Sequence, residues 1–500
     1  MRPKGLVESL LIVALVLAFF NACGTVGATG DKVTIGVLYA YSGDLGIYGD
    51  PETDAMKLAV KEVNENGGVL NGKRLTLLTR DTKSSDNVAI AKADELVAMY
   101  KVPVIIGTTG SGPCMAVIGY ITSNGVLQIS PSATAAEFTD YSDDDLFFRT
   151  CPSDALQGIA MARLAIQQGY RTASTLVVWN LYGIGFEEAF TESFEKLGGK
   201  VLKSERYDPD TTSFKSEVEK VASRNPDFVM LCAYPETGSG MLKVAYEGGY
   251  MDSIDWLLSE GLMSADLADM VGKDQEGNYI IAGIKGTTTD PRVVGPAYVD
   301  FKRNYTAEYG REPIPFCANA YDAVALVALA IEKADDASSG TAIRDCLRDV
   351  ANPPADIETS DIGEALRIIR EGDYSVNYQG ASGDITFDSN GDVKGSYCEW
   401  SIADNGEVVL GNPIALEGPI VKATPTPKPT VAPTATYTPA PTAPPTTPTA
   451  PPTTPTTPTT PTTPTPTAAV TEEPTPCFEA VFTIACLLAV AYSVWRRERT

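Results

Sequence analysis

Between Asp31 and about Gly418 the chain alternates strand-like and helix-like stretches, and it runs through that alternation twice. Residues 33–38 are an apolar, β-branched run, and Met56, Ala59, Val60 and Val63 then recur at helical spacing before Asn66-Gly67-Gly68 stops the helix. Residues 75–79, 88–100 and 104–106 continue as strand, helix and strand. Near Thr150 the pattern restarts, with strands at 176–179, 201–207 and 228–232 and helices at 186–197, 214–223 and 238–247. Strands separated by helices pair in parallel and carry the helices on their faces. The expectation is an α/β fold of two doubly wound parallel-sheet lobes. In such sheets ligands bind beyond the carboxyl ends of the strands, which for two lobes means a shared cleft.

Charge and residue usage narrow the function classes. A net charge of -25 argues against nucleic acid, because nothing here neutralises a phosphate backbone. The chain has no histidine, which removes Ser-His-Asp and Cys-His catalysis, every His-ligated metal site and the commonest general base. No catalytic residue, metal site or cofactor is expected, and the reading moves from enzyme towards binding protein.

The ends read as targeting and anchoring segments. Arg2 and Lys4, an apolar stretch from Leu10 to Phe20 and small residues after it form a secretory signal over 1–23, with Cys23 a candidate for lipidation. Residues 423–476 are nearly all Thr, Pro and Ala, so they have no apolar face and few backbone donors; they predict an extended stalk. Residues 478–495 are mostly apolar and precede Arg496-Arg497-Glu498-Arg499, which predicts a transmembrane or sorting segment with the bulk of the chain outside the cell. Six of the nine cysteines, Cys114, Cys151, Cys232, Cys317, Cys346 and Cys398, fall in the globular part. None forms a CxxC pair, which argues against a zinc site.

The loops after the predicted strands hold the unusual residues: Tyr41-Ser42-Gly43-Asp44 to Tyr48-Gly49, Gly107 to Pro113, Ser130-Pro131-Ser132-Ala133-Thr134, Tyr182-Gly183, Tyr234-Pro235-Glu236 and Ser259-Glu260-Gly261. Each alone reads more readily as an ordinary turn. The Gly107 loop is neither a Walker A loop nor a Rossmann fingerprint. Together they offer helix N-termini and hydroxyls for a carboxylate, Glu260 for an ammonium, and tyrosines as walls.

The order of these motifs, with Asn71-Gly72-Lys73, Phe148-Arg149-Thr150, Asp154 to Gly158 and Tyr321-Asp322-Ala323, resembles the type I periplasmic binding proteins, specifically the branched-chain amino-acid (leucine/isoleucine/valine) family of ABC importers. The stalk and tail resemble the surface anchors of archaeal proteins, with Pro476-Cys477-Phe478 where those tails usually have Pro-Gly-Phe. The resemblance covers about 32–411. It implies that Ser111, Ser132 (mainly through its backbone) and Thr134 hold a ligand α-carboxylate, that Glu260 meets the α-ammonium, and that Tyr48, Tyr182 and Tyr234 wall the cleft. For Asp322 it leaves an amine contact and a structural role both open.

It also implies three hinge crossovers near Thr150, Thr287 and Cys398, giving lobe 1 as 31–150 and 287–397 and lobe 2 as 151–286 and 398–418, with Cys151 and Cys398 placed for a disulfide. The implied partners are an amino acid or close analogue, an ABC permease, and the membrane through the C-terminal segment. The alternative on the same fold is the ligand-sensing ectodomain of a surface receptor; an enzyme or a purely structural surface protein fits less of the sequence.

Overall fold

The computed structural model describes residues 32–420. The expected signal, stalk and apolar tail lie outside these residues. Among the described residues no helix is long and apolar enough to cross a membrane.

The first sheet contains β1 (Lys32–Tyr39), β2 (Arg74–Asp81), β3 (Val104–Gly107), β4 (Leu127–Ser130) and β5 (Phe147–Arg149) in the order β2-β1-β3-β4-β5. Every pairing in it is parallel. Its core is closed by the helix Gly46–Glu65 and by the helix Cys317–Ala334, whose residues from Cys317 to Ile331 are all buried. An alanine-rich helix suits this place because small side chains let it sink between the sheet and its neighbours.

The second sheet starts with β6 (Thr172–Val178), β7 (Lys200–Tyr207), β8 (Phe228–Cys232), β9 (Asp255–Leu258) and β10 (Lys285–Thr289). β11 (Ile357–Thr359) and β12 (Val376–Tyr378) form a separate parallel pair. β13 (Tyr397–Ile402) and β14 (Val408–Ile414) then return to the second sheet, whose order is β14-β13-β10-β9-β8-β6-β7. β13 runs antiparallel to β10 and to β14, so the expected all-parallel lobe carries an antiparallel ribbon on one edge. Consecutive strands joined by a short loop can only pair this way.

The chain therefore passes between the sheets three times. The first passage follows β5. The second comes after β10 rather than at Thr287, because β10 keeps pairing with β13 through Thr289. The third precedes Tyr397, the first residue of β13, so Cys398 is already inside the sheet. Cys151 and Cys398 are unpaired and buried: the Cys151 thiol faces Ala133 O at 3.6 Å and the Cys398 thiol faces Thr289 O at 3.9 Å.

Arg149, at the end of β5, is fully buried and joins segments that are distant in sequence. Its Nε and Nη2 donate to the two Asp392 oxygens, each at 2.7 Å. Its Nη1 donates to the carbonyls of Thr134 and Ala135 at 3.1 and 2.7 Å. Arg149→Met removes one half of a buried pair and leaves loop carbonyls without donors. The expected loss is about 3 kcal/mol of stability, read as a lower urea midpoint; an unchanged midpoint would show that the network is dispensable.

Candidate functional site

A doubly wound sheet has its crevice where neighbouring strands send their connections to opposite faces. In the first sheet that point lies between β1 and β3, in the second between β6 and β8. The loops leaving these strand ends meet in one narrow cavity of about 30 Å³. It is lined from the first lobe by Leu45, Tyr48, Glu52, Thr109, Gly110, Ser111, Ser132 and Thr134, with Phe316, and from the second by Tyr182, Tyr234, Glu260 and Gly261. All seven residues singled out in the sequence line it, and all are buried.

Two glycines explain how the tyrosines reach the cavity. Tyr48 and Tyr182 each open the first turn of a helix and are each followed by glycine. A Cβ on Gly49 would lie 2.1 Å from Ala40 O, and one on Gly183 would lie 2.1 Å from Val178 O. Only glycine lets the helix start press against the carbonyl at the strand end, and that contact aims the preceding tyrosine inward. Tyr48 then crosses the cleft and donates to Gly261 O at 2.7 Å, and with Ala40 and Leu45 it belongs to the apolar core of the second lobe. The lobes are closed on one another. Tyr182 and Tyr234 stack at 5.8 Å, and Asn180 Nδ2 donates to the Tyr234 hydroxyl at 3.1 Å.

On the first lobe, the helix Ser111–Ser123 begins at the cavity with no side chain capping it, so its first N–H groups remain available to an anion. Ser111 Oγ accepts from Ala135 N at 3.1 Å, which leaves its own proton free. The other two hydroxyls are committed. Ser132 Oγ donates to Glu52 Oε2 at 3.1 Å, and Thr134 Oγ1 donates to Asp154 Oδ2 at 2.9 Å.

On the second lobe, Glu260 Oε2 accepts from Gln157 Nε2 at 2.5 Å, and Gln157 is held in turn by Thr287 O at 3.0 Å. Burial pushes the Glu260 carboxyl up from its usual range. Burial also raises Asp154, which lies behind Thr134, and the charge of Glu260 raises it further. Among the described residues no Lys or Arg side chain lines the cavity.

Sequence reasoning missed Glu52, Gln157 and Phe316. Glu52 lies four residues after Tyr48, hence on the same helix face, but it sits among ordinary charged residues beside Pro51. Phe316 adopts a φ of 68°, the left-handed region uncommon for a bulky residue, and this turns it into the cavity at the N-terminus of the helix Cys317–Ala334. No local signal marks it. Asp322, whose role the sequence left open, is a structural acid remote from the cavity. It accepts from Ala381 N at 2.9 Å, Ser382 N at 2.7 Å and Ser382 Oγ at 2.6 Å.

Comparison with known proteins agrees with this architecture. The family described as "Receptor family ligand binding region" matches residues 51–404, most of the chain. The chain belongs to this family. The chemotactic signal transduction system substrate-binding protein BasB of Halobacterium salinarum is 27% identical over 71% of this chain and 83% of its own length. The leucine-, isoleucine-, valine-, threonine-, and alanine-binding protein of Pseudomonas aeruginosa is 26% identical over 77% of this chain and 93% of its own. Among solved structures, the leucine-binding protein LivK of Thermotoga maritima superposes with a TM-score of 0.65 at 24% identity, over 76% of this chain and 98% of that one. The fold is that of a type I periplasmic binding protein.

Gly49→Ala and Gly183→Ala each force a methyl group into a backbone carbonyl. Each is expected to cost about 1–3 kcal/mol, measured by urea unfolding, whereas Gly46→Ala, in the same helix as Gly49 and with its Cβ in ordinary contact at 3.4 Å from Tyr41 O, serves as the control. A loss at Gly49 or Gly183 no larger than at Gly46 would contradict the close-approach argument.

Proposed function

We propose that this protein is the extracytoplasmic substrate-binding component of an ABC importer and that it captures an amino acid, branched-chain or related, between its lobes. The observation that carries the reading is the polarity of the closed cavity. One end offers a free helix N-terminus and the Ser111 hydroxyl; the other offers the Glu260 carboxylate; Tyr48, Tyr182 and Tyr234 form the walls. An α-amino acid presents a carboxylate and an ammonium on one carbon, and this arrangement complements both. The names of the Pseudomonas and Thermotoga relatives support the same ligand class.

In this reading Ser111 donates to the ligand carboxylate, and Ser132 and Thr134 contribute through their backbone and as acceptors. The open form binds ligand on one lobe, and closure adds the contacts of the other. The segment 423–476 acts as a stalk and 478–495 as the membrane tether, with a permease as the partner that takes up the closed form. The reading is one of capture without chemistry. A sensory role on the same fold is favoured by one observation, the chemotactic function in the name of the Halobacterium relative. A membrane transducer would then replace the permease as the partner.

The test is a thermal-shift screen against the amino acids, short amides, urea and aromatic acids. One α-amino acid at about a hundredfold excess over its Kd should stabilise the protein by about 2.7 kcal/mol, and Glu260→Ala should abolish the shift. A shift only with ligands lacking an ammonium would overturn the assignment of Glu260. Because ligand ammonium needs Glu260 ionised, and burial raises that carboxyl, affinity should fall as the pH is lowered. The midpoint should lie above the unperturbed value of about 4.3, as measured by calorimetric titration across pH 5 to pH 8.

A further inference from the structure

Glu52 is the carboxyl group that the reading above leaves without a task. It is fully buried in the first turns of the helix Gly46–Glu65, one turn beyond Tyr48, and it lines the cavity. Its two oxygens have different surroundings. Oε2 accepts from the Tyr39 hydroxyl at 2.8 Å and from Ser132 Oγ at 3.1 Å. Oε1 is buried and has no hydrogen-bond partner among the described residues. An ionised carboxylate here would hold one unpaired oxygen beside the cavity, with a second carboxyl, Glu260, lining the same space and no lysine or arginine lining it. That is the arrangement a buried charge avoids.

The titratable groups that feel Glu52 are Tyr39 on β1, Tyr48 on its own helix and Cys317 at the start of the helix Cys317–Ala334; burial raises all three, so none supplies a positive charge. A neutral acid resolves the geometry. With Oε2 saturated by two donors, the proton belongs on Oε1, where it becomes a donor with no acceptor among the described residues.

We propose that Glu52 is a ligand-contacting residue that acts as a protonated acid, donating a hydrogen bond from Oε1 to the carboxylate of the captured amino acid. This inference rests on the amino-acid reading above. It places the third donor of the carboxylate end, beside the helix N-terminus and Ser111, on a group that lies outside the strand-end loops. It also makes capture depend on a proton held by the protein. Burial lifts the Glu52 carboxyl to about 8, so the donor is present at neutral pH and is lost in alkali, where an ionised Glu52 repels the ligand carboxylate.

The experiment is calorimetric titration of the wild-type protein, Glu52→Gln and Glu52→Ala with L-leucine at pH 7 and pH 9, with circular dichroism to establish folding. An amide at this position keeps a donor that does not titrate. The wild type should bind about tenfold more weakly at pH 9, one unit above the raised value. Glu52→Gln should bind within about threefold of wild type at pH 7 and show a flatter profile, and Glu52→Ala should be weak at both.

Loss of leucine binding in Glu52→Gln at pH 7 would overturn the proposal in favour of an ionised carboxylate. Superimposable pH profiles for wild type and Glu52→Gln would overturn it in favour of a purely structural acid. If no amino acid in the thermal-shift screen stabilises the wild type, the amino-acid reading falls and takes the ligand contact with it.

The ligand-free protein provides a separate readout. A folded-state value raised above the unfolded one of about 4.3 gives stability that is complete below that value and declines up to about pH 8. Wild type should therefore lose thermal stability relative to Glu52→Gln between pH 5 and pH 8. Parallel curves would show that Glu52 is ionised in the folded protein.

Discussion

The site in the first lobe is built around one buried cation. Arg149 ends β5 just before the chain leaves the first sheet, and its partner Asp392 lies just before the chain returns to the second sheet for the last time. The same guanidinium holds the carbonyls of Thr134 and Ala135, in the loop that lines the cavity. One side chain thus fixes a wall of the pocket relative to two of the three passages between the sheets. A guanidinium suits this position because its planar fork satisfies a carboxylate and several carbonyls at once.

The cavity, in contrast, has no cation. Its polar groups are carboxyls, hydroxyls and the N–H groups of a helix start. Anion recognition by helix N–H groups needs no formal charge and therefore incurs no desolvation of a buried lysine or arginine. The consequence is that the carboxyls of Glu52, Asp154 and Glu260 must be managed by other means, and all three are raised by burial. Gln157 and the backbone hold Glu260, Thr134 holds Asp154, and Tyr39 and Ser132 hold Glu52. Each acid takes a partner from the residues that would otherwise be free for ligand. That is why only Ser111, of the three hydroxyls named from sequence, keeps an uncommitted proton.

Much of this was legible in the chain. The alternation of strand and helix signals predicted two parallel sheets, and the tyrosine–glycine pairs at 48–49 and 182–183 marked the strand ends that form the cleft. Local rules work there because a glycine pressed against a carbonyl is a local event. The antiparallel ribbon of β13 and β14 was not foreseen, since partner choice for a late strand depends on which sheet edge is left open. The hinge placed near Thr287 falls inside a strand for the same reason: β10 runs on through Thr289 because it pairs with β13, more than a hundred residues further on. Cys151 and Cys398 looked like a pair by position and are not one, because the two thiols turn to separate backbone carbonyls, Ala133 O and Thr289 O.

Sequence alone determined the fold class, the position of the cleft and the residue types at its rim, because these follow from periodicity and from turn chemistry within a few residues. It excluded histidine-based chemistry outright. Only the tertiary structure decided which groups inside the cleft are free and which are occupied. Glu52 reads in the sequence as one acid among Asp50, Glu52 and Asp54 on an ordinary helix. Folding buries it, saturates one of its oxygens and leaves the other without a partner among the described residues, and those are properties of neighbours drawn from β1 and from the loop after β4. Hydrogen-bond partnership and burial are long-range facts, and the charge state of a buried acid depends on both.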